Sequence, residues 1–101
     1  MNAPSLTARE LDMVRTIFRR HPEVSSATLF GSRAKGTHTE RSDVDLVVTG
    51  DVAPLRAERI AAELDELPLP YRFEVQPLEH IHYPPLLEHI KRVGILVYTA
   101  T

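Results

Sequence analysis

Two aspartates separated by one apolar residue, Asp43-Val44-Asp45, follow a Gly31-Ser32 pair after ten intervening residues in this 101-residue chain. Positions two apart on an extended strand face the same side, roughly 6–7 Å from each other, so a strand here brings the carboxylates together. At an effective dielectric near 20, two unit charges at that distance repel by roughly 2–3 kcal/mol, against well under about 1 kcal/mol in water. The pair is tolerable when solvated and attractive when a cation sits between. Magnesium prefers oxygen ligands and usually takes one or two carboxylates plus phosphate oxygens. Gly31-Ser32 ends a short strand and begins the segment that carries Arg33 and Lys35. Exposed amides and the positive dipole end of a helical turn there favour an anion such as phosphate. A further carboxylate, Glu74, alternates on a later strand and can serve a second ion or deprotonate an attacking hydroxyl. Each half alone is ordinary, since Gly-Ser closes many turns and Asp-x-Asp occurs on solvated strand ends. Arg33, Lys35 and Glu74 taken singly read as surface charges. Joined at this separation, the residues read as a magnesium–nucleotide site.

The elements that must position these groups follow from periodicity. Thr7 with Glu10 forms a capping-box pattern, and Leu6 and Leu11 are placed for a hydrophobic staple, so a helix is predicted over Thr7 to Arg20. Its apolar face is Leu11, Val14, Ile17 and Phe18, and His21-Pro22 ends it. Ser25 to Phe30 alternates as a strand, Ser32 to Lys35 is one helical turn, and Thr37 to Ser42 is a polar loop. Asp43 to Thr49 is the clearest strand, with Val44, Leu46 and Val48 on one side and Asp43, Asp45 and Val47 on the other. A second long helix starts near Pro54 and carries Ala57, Ile60, Ala61, Leu64 and Leu67 until Pro68 and Pro70. Tyr71 to Gln76 alternates again, Pro77 to Tyr83 reads as a loop, Pro85 to Arg92 as a helix stopped by Gly94, and Ile95 to Tyr98 as a last strand. The order predicts an α/β (α+β) fold with a small mixed sheet and helices packed against it. The short link between the first two strands calls for antiparallel pairing, and the long helix after the second suits a parallel crossover.

Composition bounds the function. One domain over residues 1–101 is expected, able to bury roughly two-thirds of its unfolded surface. No apolar run spans a bilayer and no signal-peptide pattern opens the chain, so a cytoplasmic protein is expected. Cysteine is absent, which removes disulfides and thiolate metal sites. A net charge of −2 without a basic stripe disfavours extended nucleic-acid binding. Among the five histidines, His80 and His82 are spaced as metal ligands can be, but no third ligand adjoins them.

The stretches F-G-S-R-A-K-G and S-D-V-D-L-V-V together resemble the nucleotidyltransferase superfamily of DNA polymerase β, in particular its small MNT (minimal nucleotidyltransferase) branch. L-P-Y-R-F-E-V-Q and H-I-K-R-V-G-I-L-V-Y extend the likeness over nearly the whole chain. The resemblance implies a nucleotidyltransferase fold, with Gly31 and Ser32 on the triphosphate and Arg33 and Lys35 beside it. It also implies Asp43 and Asp45 on Mg2+, two ions in all, and Glu74 as the third acid. That third position is usually Asp in the family, and Glu is one methylene longer. Nothing in the sequence supplies a domain for an acceptor, so the site is expected to be completed by another protein. MNT proteins are often paired with a small helical HEPN-type protein, and some act as antitoxins by transferring AMP from ATP to a tyrosine of a HEPN toxin. Two further readings remain: a small-molecule nucleotidyltransferase completed by a helical subunit, and an antitoxin that acts by binding alone. Oligomeric state is open, since Ile95 to Tyr98 and Tyr83 to Leu87 can face a partner or the chain's own core.

Overall fold

A computed structural model gives the fold, and it describes residues 5–37 and 43–100. The first helix, α1 (Ala8–Arg19), starts at the predicted cap: the Thr7 amide donates to Glu10 Oε1 at 2.9 Å and the Glu10 amide to Thr7 Oγ1 at 3.1 Å. This reciprocal pair satisfies two of the amides that a helix start leaves without partners. Leu6 and Leu11 are both buried in the main core, as are Val14, Ile17 and Phe18. At the other end, the buried His21 lies 3.0 Å from Glu63 and 3.7 Å from Glu23.

The remaining elements are β1 (Val24–Phe30), α2 (Ser32–Lys35), β2 (Val44–Gly50), α3 (Pro54–Asp65), β3 (Phe73–Pro77), α4 (Pro84–Val93) and β4 (Ile95–Thr99). Each corresponds to a predicted one. The polar loop expected from Thr37 to Ser42 falls largely on residues outside the described set. The expected loop after β3 contains a single 3-10 turn, Leu78–His80. β3 begins two residues later than its alternation suggests. The parallel ladder opens where the Val44 amide donates to the Arg72 carbonyl at 2.8 Å, and Tyr71 instead turns its hydroxyl to Glu10 Oε2 at 3.0 Å.

The strands form one sheet in the order β3-β2-β1-β4. β1 runs antiparallel to both β2 and β4, and β2 runs parallel to β3, so the sheet is mixed as expected. The α3 crossover packs on β3, and the Phe73 amide donates to Asp65 Oδ1 at 2.8 Å. Ala27 and Leu29 of β1, Val44, Leu46 and Val48 of β2, and Phe73 and Val75 of β3 share a core with the apolar faces of α1 and α3. On the opposite face, Phe30 and Val47 form a smaller cluster with Ile81, against which Leu86, Leu87 and Ile90 of α4 pack while partly exposed. The alternation predicted for β2 is therefore realised, with Asp45 and Val47 on the α4 side.

Each of the two segments left open by sequence is divided between core and solvent. Val97 of β4 is buried, whereas Leu96 is 60% exposed and Tyr83 at the start of α4 is 65% exposed. Among the described residues, no helix is long and apolar enough to cross a membrane.

Phe18 is fully buried and stacks on Tyr98 with ring centroids 5.4 Å apart, tying α1 to β4. Phe18→Ala leaves a cavity between them and is expected to cost about 3–5 kcal/mol, read as a lower urea midpoint with little change in slope.

Candidate active site

Register decides which carboxylates meet. Asp45 stands opposite Phe30 across the β1–β2 pair and beside Glu74 across the β2–β3 pair. In-register neighbours point to the same face, so Phe30, Asp45 and Glu74 form a row across three strands. Phe30 belongs to the α4-side cluster, which places both carboxylates on that face. Their side chains are hydrogen-bonded to each other. Asp43 precedes β2 by one residue, is half-buried, and adds its charge to the neighbourhood of Asp45.

Burial, then the hydrogen bond and charge of Glu74, then the charge of Asp43, push the Asp45 carboxyl up to about 6 from an ordinary 3.8. Each of these causes disfavours the ionised form. A cation between the carboxylates would reverse the balance by replacing repulsion with attraction. Among the described residues, no group of three or more His, Asp or Glu side chains is arranged to hold a metal ion. The Asp45–Glu74 pair with Asp43 nearby still fits magnesium, which completes its shell with water and substrate phosphate rather than an all-protein cage.

Gly31 follows Phe30 directly and adopts φ 77°, ψ −158°, a conformation suited to glycine. A β-carbon at this position would overlap Asp45 Oδ2 and lie 3.3 Å from Asp45 Cγ. The turn is thus pressed against the carboxylate, and the two halves of the sequence signature touch. Ser32 is half-buried at the first position of α2, and Lys35 is exposed at its end.

Arg33 is placed elsewhere. It is only 3% exposed, its guanidinium lies 4.3 Å above the Tyr71 ring, and its Nη1 donates to Ser5 Oγ at 3.2 Å. A planar guanidinium can stack on an aromatic face and hydrogen-bond at its edge, which is how this cation is accommodated in the interior. The structure therefore sets the Arg33 guanidinium against Tyr71 and Ser5. Because Tyr71 in turn donates to Glu10 of the α1 cap, Arg33 links α2 to α1.

The geometry also adds a residue that periodicity and spacing did not single out. The Gly31 amide donates to Nε2 of His89 at 3.1 Å, although 58 positions separate the two. His89 is a half-buried residue of α4, and no local pattern distinguishes it from the other histidines.

The sequence profile of the family described as Polymerase beta, Nucleotidyltransferase matches residues 12–101. A turn of Gly and Ser against strand-borne carboxylates, on this mixed sheet, has the form of a nucleotidyltransferase fold. The chain belongs to the polymerase β nucleotidyltransferase family. Similar solved structures include a toxin–antitoxin complex with AMP-PNP, at TM-score 0.73 and 18% identity, covering 95% of this chain and 76% of the other. A tri-AMPylated Shewanella oneidensis HEPN toxin in complex with MNT antitoxin matches at TM-score 0.69 and 16% identity, covering 91% and 71%. The MntA-HepT toxin–antitoxin matches at TM-score 0.70 and 15% identity, covering 93% and 74%. At these identities the likeness is one of fold. A search of curated protein sequences finds no match.

Three outcomes are expected. Since the folded protein holds Asp45 at about 6, above its ordinary 3.8, the protonated form is the one the fold favours. Its stability contribution is complete below 3.8 and is lost as pH rises through about 6. Asp45→Asn, which cannot ionise, should therefore melt above the parent at about pH 7.5 and level with it near about pH 4, by thermal unfolding across that range. Arg33→Ala should lose about 1–3 kcal/mol of unfolding free energy through its stacking and hydrogen bonds. Lys35→Ala, on the surface, should stay within about 0.5 kcal/mol of the parent.

Proposed function

We propose that the chain transfers a nucleoside monophosphate, AMP from ATP, to a hydroxyl on a tyrosine of a small helical HEPN-type toxin, and so acts as its antitoxin. The observation that carries this reading is the Asp45–Glu74 pair set beside the Gly31 turn on a nucleotidyltransferase sheet. The similar complexes support the partner and the nucleotide: one contains AMP-PNP, and another an AMPylated HEPN toxin bound to an MNT antitoxin.

In this reading Gly31 and Ser32 seat the triphosphate, with Lys35 as an exposed cation beside it. Asp43, Asp45 and Glu74 would hold Mg2+, which when bound would neutralise charge on the phosphates and help align the attacking and leaving oxygens. Glu74 takes the proton of the acceptor hydroxyl. The acceptor oxygen forms a bond to the α-phosphorus as the bond to the bridging oxygen breaks, and pyrophosphate leaves. The chain's own contribution is positioning and electrostatic stabilisation. Glu74 is exposed on the edge strand β3, which leaves the acceptor side open for another protein to complete.

A second reading, neutralisation by contact without transfer, draws on Glu74 standing where the family usually has Asp. A third, transfer to a small molecule, needs a helical subunit to build its acceptor site.

Incubating the chain with ATP labelled at the α-phosphate, magnesium and the partner protein distinguishes them. Label on the partner tyrosine, absent with Asp43→Ala and Asp45→Ala, is expected. Glu74→Gln should slow transfer by about 10²-fold or more, as loss of a general base does. Glu74→Asp, which restores the usual family side chain, should retain transfer. Neutralisation that survives both aspartate substitutions with no label anywhere would support contact alone. Label on small acceptors only would favour the third reading.

A further inference from the structure

Gly31 is gripped from both sides. Its α-carbon packs so closely on the Asp45 carboxylate that an added β-carbon would overlap Oδ2, and its amide is taken by His89 Nε2 at 3.1 Å. An imidazole nitrogen that accepts an N–H carries no proton of its own, so the ring proton of His89 sits on Nδ1. The ring is held edge-on to Phe30, with centroids 6.3 Å apart, by a helix whose apolar side packs on Phe30, Val47 and Ile81. His89 thus reaches the turn from a different layer of the fold. It occupies the amide of the residue assigned above to the phosphates.

One N–H aimed along a single direction cannot give full hydrogen bonds to an imidazole and to a phosphate oxygen at once. We propose that His89 is a positioning residue of the nucleotide site that acts through Gly31: it holds the Gly31 amide and yields it to a phosphate oxygen when the triphosphate binds. The inference rests on the nucleotide reading given above. The exchange runs toward the ligand because a charged phosphate oxygen is a stronger acceptor than a neutral imidazole. Measured affinity then reflects the difference between the two bonds. Removing the imidazole leaves the amide to water and takes away a competitor, whereas a side chain with another neutral acceptor at the same reach restores it.

The test is a calorimetric titration of AMP-PNP with magnesium into the full chain, His89→Ala and His89→Gln. It is joined by NMR of the parent's Gly31 amide and His89 ring nitrogens. His89→Ala should bind about two- to tenfold more tightly than the parent, the range a single net hydrogen bond covers. His89→Gln should return affinity to the parental value, and in the parent both Gly31 N–H and His89 Nε2 should shift as nucleotide saturates. Equal or weaker binding by His89→Ala, or a His89 Nε2 signal unmoved at saturation, overturns the role of His89 while leaving nucleotide binding in place. The parent's NMR signals decide the matter without relying on the folding of either variant. Absence of binding in the parent overturns the nucleotide reading, and this inference with it.

Discussion

The parallel register of β2 and β3 puts Asp45 beside Glu74, and this juxtaposition of like charges is the constraint around which the rest of the structure is arranged. The half-burial of Asp45, and then its hydrogen bond with Glu74, push its carboxyl up to about 6. A fold selected for stability alone has no reason to set two carboxylates side by side with a third nearby. Ionisable groups disfavoured in this way cluster at sites that bind cations or carry out chemistry. The sheet can carry the cost because its other face is well packed: Phe18, Leu46, Ile60 and Leu64 are all fully buried between α1, α3 and the strands.

The division of the sheet into two unequal faces explains the openness of the site. α1 and α3 cover one face and bury its main core. On the other, α4 covers the Phe30 and Val47 region with side chains that are only partly buried, and Glu74 stands exposed on the edge strand. Gly31 joins these regions. It ends β1, lies against the Asp45 carboxylate, and is tied to α4 through His89. At φ 77° and with Asp45 Oδ2 where a β-carbon would stand, the missing side chain of Gly31 lets the turn lie against the carboxylate.

Arg33 illustrates how burial redirects a side chain. Two residues beyond Gly31, it had the sequence context of a phosphate ligand. In a four-residue helix, however, successive positions point in widely different directions, and Arg33 falls on the side of α1 and Tyr71. Lys35, two positions further on, remains in solvent. The same basic segment therefore contains one interior cation that binds elements together and one surface cation available to a ligand.

Local chemistry was enough to read most of the architecture. The Thr7–Glu10 cap, the alternation of Asp43 to Thr49, the prolines that bound α3 and α4, and the length of each connection determined the elements and the mixed sheet. They did so because caps, pleats and crossover lengths depend on residues near one another in the chain. The Gly31-Ser32 and Asp43-Asp45 signature was legible for the same reason. What only the tertiary structure decided was contact across the chain: the pairing of Asp45 with Glu74, the burial of Arg33 under Tyr71, and the reach of His89 to the Gly31 amide. Those contacts depend on strand register and on which face of the sheet each helix covers. Both are settled by the packing of the whole core, which no local pattern encodes.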